Sequence, residues 1–254
     1  MQSLYIPVPL ESFLHRVNPR TKIVFLLFCV VSAFVPPWPV LWGATIVLLA
    51  LAFAAAIGRQ IVIRYLLLSL PFIVAIFAFH GLIMSRPDFR QAFGWLPYSP
   101  AGLEYAAAVG GRISLMLTAS LLFVATTHPS ALLRSLDAAR WPPAASFLLA
   151  SPLLLIDQFT ARANAIREAQ QTRGLALGGT VTARFHALRI LVVPLLTLAL
   201  SDAHERANLL TARGFRALPW RTVIDPPRDS AGEKAMRAAF AVAMVAELGY
   251  VILA

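Results

Sequence analysis

The stretch 103–127, LEYAAAVGGRISLMLTASLLFVATT, decides the fold class. As one unbroken helix it is about 37 Å long, enough to cross the roughly 30 Å of hydrocarbon in a bilayer. Segments 22–42, 43–57, 64–84 and 235–254 are comparably apolar and long enough, or nearly so, to do the same. The limits of the first two depend on Pro36, Pro37 and Pro39, which suit either a tight hairpin or a broken span. The chain of 254 residues is 59% hydrophobic and 13% charged, with a mean hydropathy of +0.72, well outside the range of soluble domains. The expectation is an all-α integral membrane protein with about five transmembrane helices, supplemented by long amphipathic helices on the cytoplasmic side.

The net charge of +10 is explained by membrane topology rather than by nucleic acid, because the cations gather in segments that set orientation. Arg16, Arg20 and Lys22 precede the first span, Arg59 and Arg64 lie between the second and third, and twelve arginines face six acids over 134–228. The turn 36–39 is uncharged, and Arg86, Asp88 and Arg90 nearly cancel. Positive charge inside then places the amino terminus and the large polar region in the cytoplasm and the carboxyl terminus outside. Residues 1–22 lack the short apolar core and small-residue cleavage site of a signal peptide, so no cleavage is expected.

Several chemistries have no support in the residues. The lone Cys29 allows neither an internal disulfide nor a cysteine-ligated metal, and reads as an apolar packing residue. The five histidines show no chelating spacing, and no glycine-rich nucleotide loop is present, so any ATP chemistry belongs to a partner. Glu104, Arg112 and Glu247 are too few for an intramembrane active site, and no cofactor is expected. Arg112 and Glu247 each fall roughly 13 to 15 Å deep in their spans, where an unpaired charge costs at least about 2.5 kcal/mol, so they are expected to pair. Ala107 and Gly111 beside Arg112 would let a neighbouring helix approach.

After residue 127 the continuous apolar runs give way to helical periodicity, which divides the chain into 1–127, a coupling region 128–233 and a last span 234–254. An interfacial helix begins at Pro129 and ends at Trp141-Pro142-Pro143. Two longer units follow, each with an apolar start interrupted by a proline, Pro152 or Pro194, and a mixed continuation. The prolines and the short apolar length favour helices lying under the membrane over clean crossings. On one unit Phe159, Ala163 and Ile166 share a face, and on the other Leu195, Ala199, Ala203, Ala207 and Leu210 do so. Asp202 and Arg206 are spaced to pair on the solvated side. The Gly178-Gly179 loop and 219–232 read as connectors.

Each long unit closes on an Arg-Gly pair, Thr172-Arg173-Gly174 and Ala212-Arg213-Gly214. An Arg in the last helical turn meets the negative end of the macrodipole, and a Gly beyond it accepts the left-handed conformation that stops the helix. One such pair is an ordinary helix end. Two in one basic region, each ending an amphipathic helix, point to a pair of docking tips.

These motifs resemble those of the transmembrane T component of energy-coupling factor transporters. The resemblance covers most of the chain: 14–22 is similar to the family's approach to the first span, with Asn18 where Asp is commoner. Arg112, Thr126-Thr127, Pro129, Leu132 and Leu136 are similar to its middle region. The segments 170–174 and 205–215 are similar to its two Ala-Arg-Gly signatures, the first carrying Thr172 in place of Ala. The resemblance implies that both signatures dock into two cytoplasmic ABC ATPase subunits. It also implies that the apolar faces of the same helices hold a small substrate-capture membrane subunit, and that the complex imports a vitamin or a transition-metal ion across a bacterial or archaeal cytoplasmic membrane. An ordinary ABC importer permease is the nearest rival, through Glu168-Ala169, Gly174 and 190–194, but it has no use for a second Arg-Gly tip.

Overall fold

A computed structural model describes residues 12–84, 90–92, 96–174, 180–215, 217 and 227–253. The Gly178-Gly179 loop, Arg86, Asp88 and the part 219–226 of the second connector lie outside the described residues. The helices are α1 (Phe13–Arg16), α2 (Pro19–Ser32), α3 (Trp38–Ala54), α4 (Gly58–Ala78), α5 (Pro100–Thr126), α6 (Pro129–Ala138), α7 (Pro143–Thr172), α8 (Val181–Ala212) and α9 (Ala231–Leu253). A π-helical turn, Phe79–Ile83, prolongs α4, and a two-stranded antiparallel ribbon, β1 (Arg90–Ala92) with β2 (Leu96–Tyr98), leads into α5. The protein is an all-α, multi-pass membrane protein, with five helices among the described residues long and apolar enough to span a bilayer.

These five are not all the expected ones. They are Gly58–Leu82, Pro100–Thr126, Ala144–Thr172, Phe185–Ala212 and Ala231–Leu253. The anticipated first two spans are instead shorter helices, because the chain turns at Ala33 to Pro37 and not after Trp42. Pro37 caps α3 and Pro39 falls in its first turn, where a missing N–H costs nothing. Conversely, α7 and α8 run through Pro152 and Pro194 without a break. By length and composition alone each can cross the membrane, contrary to the short apolar length inferred for them.

The chain divides into two compact units, Met1–Leu132 with Pro227–Ala254, and Leu133–Pro226. In the first, α5 is the central helix, packed on α2, α3 and α4, while α9 packs on α2. Cys29, Leu41, Leu48, Ala52, Ile61, Leu115, Ala119 and Leu122 form its core. Close approach of α3 to α5 depends on small residues, as Ala107 and Gly111 suggested. Trp42 Nε1 donates to the Ala107 carbonyl at 3.0 Å, and a Cβ on Gly111 would lie 3.0 Å from Leu41 Cβ. Several polar groups in this core are bonded: Tyr65 donates to Ser114 Oγ at 2.9 Å, and Thr45 and Ser69 donate to carbonyls one turn back in their own helices, whereas the buried Thr118 hydroxyl of α5 has no partner among the described residues.

Residues far apart in sequence close the same unit at the start of α2. Asn18 is buried and caps α2 through Oδ1, which accepts from Arg20 N–H at 3.0 Å. Its Nδ2 donates to the Arg228 carbonyl at 3.0 Å, a bond that an Asp could not supply. Asp229 receives Arg20 and Arg237, each at 2.8 Å. The hydrogen bond from Arg237, and secondarily that from Arg20, lowers the Asp229 carboxyl to about 2, below the ordinary carboxylate range. A depressed folded value means that the ion cluster stabilises the unit fully above about pH 4 and loses that contribution as pH falls towards 2. Asp229→Asn should therefore lower the Tm at pH 7, and the gap to wild type should narrow between pH 4 and pH 2. A constant gap would place the effect elsewhere.

Candidate docking site: two arginine-glycine helix tips

The second unit is built on α7 and α8, which cross through polar side chains. Arg162 pairs with Asp202, and Arg206 donates to Gln158 Oε1 at 2.6 Å. As the number rises on α7 it falls on α8, so the helices run antiparallel at the crossing. This corrects the expected Asp202 to Arg206 pairing along α8: both residues reach across to α7. The sequence held a signal for it, since Gln158 and Arg162 repeat on α7 the same four-residue spacing.

Both tips end in the predicted way. Arg173 is the C-cap of α7, and Gly174 takes a φ of +87° with its N–H donated to the Gln171 carbonyl at 3.0 Å. At the end of α8, Gly214 has a φ of +68°; its N–H donates to Thr211 O and that of Phe215 to Leu210 O, both at 3.0 Å. This second pattern is a Schellman closure. Among the described residues a side chain on either glycine would meet no atom closer than 3.5 Å, so the requirement for glycine is conformational. Gly214→Ala should cost about 1 kcal/mol and speed amide exchange over 209–213; unchanged exchange would show that the closure does not need glycine. Thr172, which stands at the end of α7, donates its hydroxyl to the Ala169 carbonyl at 2.8 Å, so the added polar group is bonded within its own helix.

Thr172, Arg173, Gly174, Ala212, Arg213 and Gly214 are all exposed. Among the described residues neither guanidinium has a hydrogen-bond or ion-pair partner, so both are presented to whatever approaches. The tips are also far apart. Phe215, just beyond the second, packs edge-on against Phe147 near the start of α7, with ring centroids 5.3 Å apart. Arg173 closes the other end of that helix, twenty-six residues on, which sets the tips roughly 40 Å apart.

The expected apolar faces divide between two roles. Phe159, Ala163 and Ile166 on α7, and Leu195, Ala199 and Leu210 on α8, are half-buried, while Ala203 and Ala207 are exposed. Leu195, Ala199 and Leu210 share their half-buried face with Asp202 and Arg206, the residues that meet α7. The exposed apolar stripe beside it holds Phe185, Val192, Leu196 and Leu200, which the sequence reading did not select.

Arg112 and Glu247 do not pair. Ser32 Oγ donates to both Glu247 oxygens at 2.9 and 2.8 Å. Arg112 stands with Cζ 5.7 Å from the centre of the Phe34 ring, a cation–π distance, and its Nε has no hydrogen-bond partner among the described residues. The cause is packing order: α2 lies against both α5 and α9, and Ser32 at its end and Phe34 in the turn after it are the partners that the two charges meet.

Comparison with known proteins agrees with this architecture. The sequence pattern of the family CbiQ, described as cobalt transport protein, matches residues 11–222. The energy-coupling factor transporter transmembrane protein EcfT of Heliobacterium modesticaldum is 29% identical over 231 residues, 86% of this chain and 86% of its own. The protein of the same name from Brevibacillus brevis is 26% identical over 228 residues, 85% of each chain. A putative ABC transporter ATP-binding protein of Bifidobacterium longum is 25% identical over 236 residues, which are 87% of this chain but 30% of that longer one. The chain belongs to the CbiQ family, and it is a transmembrane T component of an energy-coupling factor transporter.

Proposed function

We propose that the chain joins two cytoplasmic ABC ATPase subunits to a substrate-capture membrane subunit and transmits ATP-driven movement from the former to the latter. The observation that carries this reading is the pair of exposed Arg-Gly tips, roughly 40 Å apart on one crossed helix pair. That spacing exceeds the diameter of a small domain, so each tip serves its own ATPase subunit, and a permease with one coupling loop would need only one. The relative from Bifidobacterium longum supports the same partnership, since it is named for ATP binding and carries a region like this chain within a longer polypeptide. ATP hydrolysis belongs to the ATPases, and this chain is not itself an enzyme. Each guanidinium enters an acidic groove, where its planar donor fork suits carboxylates.

The bonds at the α7 and α8 crossing couple movement at one tip to the other. The apolar surface of these helices holds the capture subunit, which selects the vitamin or transition-metal ion. The protein lies in the cytoplasmic membrane of a bacterium or archaeon with its amino terminus and tips inside.

The exposed alanines test the capture surface. Ala203→Trp should release the capture subunit while both ATPases stay bound. Ala199→Trp, on the face turned to α7, should disturb the crossing and loosen all partners together. Retention of the capture subunit by Ala203→Trp would refute the assigned surface.

A further inference from the structure

We propose that the first unit contains a site for an anionic phospholipid, one acyl chain lying in a cavity among α2, α3, α5 and α9 and the phosphate meeting Lys22. The cavity has a volume of about 250 Å³, with walls that include Phe25, Leu51, Leu122, Phe123 and Phe240. That space admits a hydrocarbon chain but not another helix, whose diameter with side chains is about 10 Å. The part of the cavity walled by these apolar side chains does not suit water.

The polar lining points to the charge of the occupant. Thr21, Lys22 and Thr126 are the hydrogen-bonding residues of the cavity wall. Lys22 is in the first turn of α2 and donates one of its three N–H groups to the Thr126 carbonyl at 2.7 Å, leaving two for an anion. Thr21 accepts from Arg237 at 3.2 Å. Of the two acids nearby, Asp229 is bonded to Arg20 and Arg237, and Glu233 accepts the Asn18 N–H at 3.1 Å. Glu233 also acts on Lys22 through space, yet three cations against two acids still leave this end of the cavity positive, with Lys22 the cation on its wall. A phosphodiester with a hydrocarbon tail matches both the charge and the walls.

The test compares the purified full chain in phosphatidylglycerol with the same chain in phosphatidylcholine. Phosphatidylglycerol should raise the wild-type Tm by at least about 2 °C more than phosphatidylcholine, and Lys22→Gln should abolish the difference. Equal stabilisation by both lipids, or a phosphatidylglycerol preference that survives in Lys22→Gln, would overturn the proposal. A measurement on the wild type avoids dependence on a variant that folds poorly. Phosphatidylglycerol bearing a photoreactive diazirine in its acyl chain should label Phe25, Leu51 or Phe123. Labels confined to outward-facing residues such as Leu27 and Leu67 would overturn the proposal equally.

Discussion

Replacing Arg173 and Arg213 together by alanine is expected to abolish co-purification of the ATPase subunits and substrate uptake. Truncating one partner of a desolvated charge pair at an interface costs about 2 to 5 kcal/mol, so each single substitution should weaken its own contact about 30-fold to several-thousand-fold. Arg→Lys should restore little, since an ammonium lacks the planar two-donor edge. The fold should survive all of these changes, because both side chains are exposed and have no partner among the described residues. Unchanged helical content with lost assembly is therefore the expected combination. Wild-type uptake and ATPase stimulation in the double variant would remove the docking role from both tips.

The largest expected effect on folding is at Gly102, in the first turn of α5. Its N–H donates to Ser99 Oγ at 2.9 Å, the cap of α5. A Cβ there would stand 2.0 Å from the His80 carbonyl oxygen and 2.9 Å from its carbon. The obstacle is backbone, so the α5 start or the π-helical turn must move. Overpacking costs about 1 to 3 kcal/mol where side chains can yield, and Gly102→Ala should reach at least the upper end of that range. Gly43→Ala is the matched control: nothing lies within 4 Å of its Cβ position, and alanine within α3 should add up to about 1 kcal/mol through helix propensity. A thermal melt in detergent separates the two directions, and a Gly102→Ala protein as stable as wild type would contradict the packing of α5 on the turn.

The sequence disclosed what depends on local composition. Three long spans, now α4, α5 and α9, stood out through uninterrupted hydropathy, and the closures at Gly174 and Gly214 through the chemistry of helix ends. Proline was the main source of error, because its effect depends on its position in a helix. Pro37 and Pro39 begin α3, whereas Pro152 and Pro194 sit inside α7 and α8 without ending them. Periodicity found the apolar faces of these two helices, yet it cannot tell which part of a face meets the neighbouring helix. The half-buried Ala199 and the exposed Ala203 looked alike for that reason. Contacts across long sequence separations left no trace at all: nothing near Asn18 announces Arg228 or Glu233, and nothing near Glu247 announces Ser32.

One chain that makes two separate ATPase contacts fixes the composition of the complex. Its most direct measurement is the mass of the intact complex, isolated in mild detergent from native membranes through a tag on this chain. One copy of this chain with two ATPase subunits and one small membrane protein is expected, with loss of both ATPases when Arg173 and Arg213 are replaced by alanine. A wild-type complex with a single ATPase subunit, or with none, would contradict it.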